Sequence, residues 1–69
     1  MSTYKVIEVI GTSATSWEDA AAQAVKTAGE TVHGLRVAEV VGQDIHLDEG
    51  RGITFRIKLQ LSFKYEHEH

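Results

Sequence analysis

From Ile53 to Tyr65 every odd position is apolar or aromatic (Ile53, Phe55, Ile57, Leu59, Leu61, Phe63, Tyr65). Every even position is polar: Thr54, Arg56, Lys58, Gln60, Ser62, Lys64. A strict period of two over this length specifies a β-strand with one apolar face. At about 3.3 Å per residue the strand would be roughly 43 Å long. Few structures that a short chain can build will cover an apolar face that long.

The preceding segment, Leu35 to Leu47, carries Leu35, Val37, Val41, Ile45 and Leu47 at odd positions, with Glu39 and Gln43 interrupting that face. Between the two lie Asp48-Glu49-Gly50-Arg51-Gly52, residues suited to a hairpin turn. Pairing Leu47 with Ile53 sets Ile45 against Phe55, Val41 against Leu59 and Asp44 against Arg56, the last a favourable cross-strand charge pair. A bulge at Gly42 would shift this register.

Tyr4 to Ile10 is rich in β-branched residues (Val6, Ile7, Val9, Ile10) without a clean polar face, which predicts a strand covered on both sides in a central position. Gly11 to Thr15 reads as a loop. Ser16 is placed to cap a helix through the amide of Asp19, with Glu18 and Asp19 at the positive end of the helix dipole. The helix is expected from Trp17 to about Val32, with an apolar stripe of Trp17, Ala21, Ala24, Val25, Ala28 and Val32. His33-Gly34 would end it. The predicted fold class is α+β, in the order β-α-β-β: a three-stranded antiparallel sheet wrapped around one helix.

Sixty-nine residues make one domain, residues 1–69, with 66–69 expected as a frayed tail. A chain this short buries only about 60% of its unfolded surface and needs a supplement to its core. With no Cys, disulfides and thiolate metal sites are excluded, and His33, His46, His67 and His69 lack zinc-finger spacing. Self-association remains, and the large apolar side chains of the hairpin, which extends past one helix, point the same way. A net charge of −3 does not favour nucleic acid or an anionic membrane. No apolar run reaches the roughly 20 residues of a membrane span. Met1-Ser2-Thr3-Tyr4-Lys5 does not read as a signal peptide, so a cytoplasmic location is expected.

Four segments, in order, resemble the dodecin family: Tyr4-Lys5-Val6-Ile7-Glu8-Val9-Ile10-Gly11-Thr12-Ser13, Ser16-Trp17-Glu18-Asp19-Ala20, Leu35-Arg36-Val37-Ala38-Glu39-Val40 and Leu61-Ser62-Phe63-Lys64-Tyr65-Glu66. The resemblance covers Tyr4 to Glu66. It implies a subunit of a hollow homododecamer with tetrahedral symmetry that binds a small ligand without catalysis. Many dodecins store flavin (riboflavin, FMN or FAD), and flavin is the ligand the resemblance implies first for this chain. Val37, Gly42 and Arg56 align with the flavin pocket. Two of these depart from its pattern: Val37 stands where flavin binders carry a stacking Trp, and Arg56 where they carry a Gln that bonds the ring edge. Gly42 aligns with an Asp that contacts the ribityl chain in some members. The Leu-Arg-Val-Ala-Glu pattern resembles the branch containing calcium dodecins, which implies as the alternative a divalent metal ion, its residues unassigned, or a purely structural shell without flavin function. Coenzyme A also binds in the family, and Arg36, Lys58 and Lys64 are candidate phosphate partners.

No motif frames a catalytic nucleophile. The loop Gly11 to Ser16 could cradle a phosphate at a helix start or be an ordinary capped loop. Glu39 could contact a ligand or make a salt bridge between subunits. Asp44, His46, Asp48 and Glu49 could hold a hard cation at a shared axis or form a solvated turn. His67 and His69 could take Zn²⁺ or Ni²⁺, or belong to a frayed terminus.

Overall fold

The computed structural model describes residues 2–50 and 52–65; Arg51 and the 66–69 tail, with its two candidate His ligands, lie outside the described residues. The elements are β1 (Tyr4–Ser13), α1 (Trp17–Gly29), β2 (Leu35–Asp48) and β3 (Gly52–Lys64). All strands are antiparallel to their neighbours, in the order β1-β3-β2. The β-α-β-β order and the single antiparallel sheet match the sequence-based expectation.

The central strand is β3, whereas the β-branched run of β1 had predicted that strand for the centre. Only β3 has a neighbour on each side. The outer side chains of β1, among them Tyr4, Val6 and Ile10, are about half exposed, so its second apolar face has no cover within one chain. β1 also runs past Ile10, because Gly11, Thr12 and Ser13 continue the ladder opposite Ile57, Arg56 and Phe55.

The helix lies on the face presented by Ile57, Leu59 and Leu61, which are buried together with Ala20. Ala20 was not in the predicted stripe, yet it is the helix residue packed most closely on the sheet. The reason is Gly11: a Cβ there would meet the carbonyl oxygen of Ala20 and come within 2.8 Å of the Ala24 Cβ. Glycine opposite alanine lets the two backbones approach. Ser16 caps the helix as predicted, its Oγ accepting from the Asp19 amide at 2.9 Å. The helix stops at Gly29 rather than near Val32. Glu30 and Thr31 close it with tightened amide bonds to Thr27 and Ala28, and the Val32 amide also reaches Ala28. Gly34, at φ +78°, then turns the chain into β2.

Near the turn the predicted register holds: Leu47 faces Ile53, Ile45 faces Phe55 and Asp44 faces Arg56. Beyond Gly42 it shifts, and Val40, not Val41, faces Leu59. A second shift lies between Leu35 and Val37. Each extra residue inverts the alternation, because side chains in a strand change face with every residue. Val37 and Glu39 therefore share the sheet face away from the helix, opposite Ser62 and Gln60. Glu39 does not interrupt an apolar face, as the unshifted pattern had implied.

The helix contacts β1 most and β2 least. Every residue of β2 except Leu35 and Gly42 is exposed, and Leu47 reaches 75%. The Cα radius of gyration is 14.3 Å, against roughly 11 Å for a compact chain of this length. The hairpin overhangs its own helix.

Candidate functional site

The face away from the helix presents cross-strand rows. Val6, Ser62 and Val37 form one; Glu8, Gln60 and Glu39 the next; then Ile10, Lys58 and Gly42; then Thr12, Arg56 and Asp44. The last two rows enclose a shallow depression of ≈ 250 Å³, lined by Ile10, Gly42, Asp44, Arg56 and Lys58 among others. Gly42 leaves room there because it has no side chain to oppose Lys58.

Two of the three residues singled out from the sequence, Gly42 and Arg56, line this depression. Val37 lies on the same face but outside the lining, beyond the row of Glu39. Lys58, named from the sequence only as a phosphate partner, and Ile10, not anticipated as a site residue, complete the wall. Their even parity, shared with Arg56 in β3 and with Val6 in β1, was the available signal.

Arg56 is held by Asp44 in a two-pronged ion pair, Nε to Oδ1 at 2.7 Å and Nη2 to Oδ2 at 2.9 Å. Hydrogen bonding from Arg56 holds the Asp44 carboxyl below its usual value, and the same pairing raises the guanidinium. Both side chains remain roughly half exposed, so the pair is well screened. Lys58 Nζ stands 3.9 Å from Glu8 Oε1, a looser contact. Behind the sheet, Trp17 Nε1 donates to the Asp44 carbonyl at 3.1 Å, and the indole meets Phe55 edge to face with centroids 5.2 Å apart.

The loop before the helix has spent its polar groups on itself. Ser13 Oγ donates to Asp19 Oδ2 at 2.6 Å, and Thr15 Oγ1 and Gln23 Nε2 donate to the same oxygen. The loop hydroxyls of Ser13 and Thr15 are thereby engaged by the Asp19 carboxylate. These bonds, with the Ser16 cap, are those of a capped loop.

The carboxylates of Glu8, Glu39, Asp44 and Asp48 are hard oxygen donors suited to Ca²⁺ or Mg²⁺. Asp48 Oδ1 is bonded to His46 Nε2 at 3.0 Å. Among the described residues no three His, Asp or Glu side chains converge. The donor chemistry fits a hard cation, but one subunit supplies only part of a coordination shell. The candidate phosphate partners are also dispersed: Lys58 and Lys64 are six residues apart on β3, roughly 20 Å. Among the described residues no helix is long and apolar enough to cross a membrane.

The dodecin family model matches residues 3–66. Calcium dodecin of Mycobacterium tuberculosis is 58% identical over 64 residues, covering 93% of this chain and 90% of that protein. The crystal structure of that calcium-chelating antigen, described with a novel calcium-binding site, superposes with a TM-score of 0.87 at 53% identity, over 99% of this chain and 97% of the other. Dodecin from Streptomyces coelicolor superposes with a TM-score of 0.88 at 31% identity, over 97% and 96%. With the sequence match, the β-α-β-β subunit and the superpositions in agreement, this chain belongs to the dodecin family.

Proposed function

We propose that this chain is the subunit of a hollow homo-oligomer, a dodecamer by family analogy, that binds a small ligand without catalysis, and that its ligand is a divalent cation of the calcium class. The observation that carries the choice of ligand is the 58% identity to a calcium dodecin across 93% of the chain. The outer face is consistent with it. It offers several carboxylates, Asp44 among them in the depression, and residues of further copies or solvent would complete the six to eight oxygens that calcium takes.

Flavin storage is the weaker reading. Val37 presents no aromatic surface, and the fork of Arg56 is already engaged by Asp44. Coenzyme A would need Arg36, Lys58 and Lys64 from several subunits to meet. Assembly is supported by the uncovered apolar side chains, Leu47 above all.

Two titrations of the chelator-treated, dialysed oligomer test the ligand: calorimetry with calcium, and fluorescence quenching of riboflavin and FMN. Saturable calcium uptake with no flavin quenching is expected. A stoichiometric flavin complex at low micromolar concentration, with no calcium heat, would reverse the assignment. Sedimentation at micromolar subunit concentration should show no folded monomer.

A further inference from the structure

We draw no further inference here: the strongest candidate, the uncovered apolar face of the overhanging hairpin on the helix side of the sheet, where Ile45, Leu47 and Ile53 stay exposed, belongs to the assembly already proposed, and nothing in the structure shows which surface covers it.

Discussion

The indole Nε1 of Trp17 donates to the carbonyl of Asp44 at 3.1 Å, tying the helix start to the residue whose carboxylate grips Arg56 on the other face of the sheet. The only tryptophan of the chain is therefore a brace between the covered core and the candidate site. Trp17→Phe keeps an aromatic ring against Phe55 but removes the donor. It should destabilise by about 1 kcal/mol, the net worth of one hydrogen bond. Trp17→Ala also loses the edge-to-face contact and the packing, and should cost about 3 kcal/mol. Urea unfolding at fixed subunit concentration measures both, and equal effects from the two variants would contradict the brace.

Gly11→Ala should destabilise by roughly 1–3 kcal/mol, because the new methyl meets the Ala20 backbone and the Ala24 methyl and pushes the helix off the sheet. Gly29→Ala, with nothing within 4 Å of the added carbon, is the control. It should be neutral or stabilising by about 0.5–1 kcal/mol. Paired denaturation curves separate the steric effect from a general intolerance of alanine.

Asp19 and Asp44 both titrate below the usual carboxylate value of 3.8, Asp19 chiefly through the Ser13 and Gln23 hydrogen bonds and Asp44 chiefly through Arg56. A depressed folded pKa contributes stability that is present above the unfolded value and is lost as pH falls through the folded one. The unfolding midpoint should therefore change little from these groups between pH 7 and pH 5, and fall below about pH 4. Asp19→Asn and Asp44→Asn should each flatten the acid limb. An acid limb as steep as wild type in both variants would show that other carboxylates control it.

If the two departures from the flavin pattern weaken flavin binding, reversing them should strengthen it. Val37→Trp combined with Arg56→Gln puts an aromatic surface and a neutral amide on the face where the flavin pattern has them. This variant should quench FMN fluorescence saturably where the parent does not. Base stacking on an aromatic ring is worth about 1–3 kcal/mol. Each substitution alone should give less than the pair. Failure of the double variant to quench would place the obstacle elsewhere in the assembly.

The period-two pattern of residues 53–65 sufficed to specify β3, because backbone geometry alone sends alternate side chains to opposite faces. The turn residues extended that certainty a short way into β2, far enough to pair Asp44 with Arg56 across an intervening loop. The Ser16 cap was legible for the same reason: its partner is three residues away. Local chemistry reads directly from local sequence.

What the tertiary structure alone decided depends on contacts between distant residues. The shift at Val41 turns Val37 and Glu39 to the outer face, and only the hydrogen-bond ladder with β3 sets their parity. The strand order was hidden because β1 is apolar on both faces, which a central strand and an uncovered edge strand share. The burial of Ala20 follows from Gly11 across the interface, and neither residue announces the other. The depression exists because Ile10, Gly42, Asp44, Arg56 and Lys58 come from three strands, whose side-by-side placement no single segment encodes.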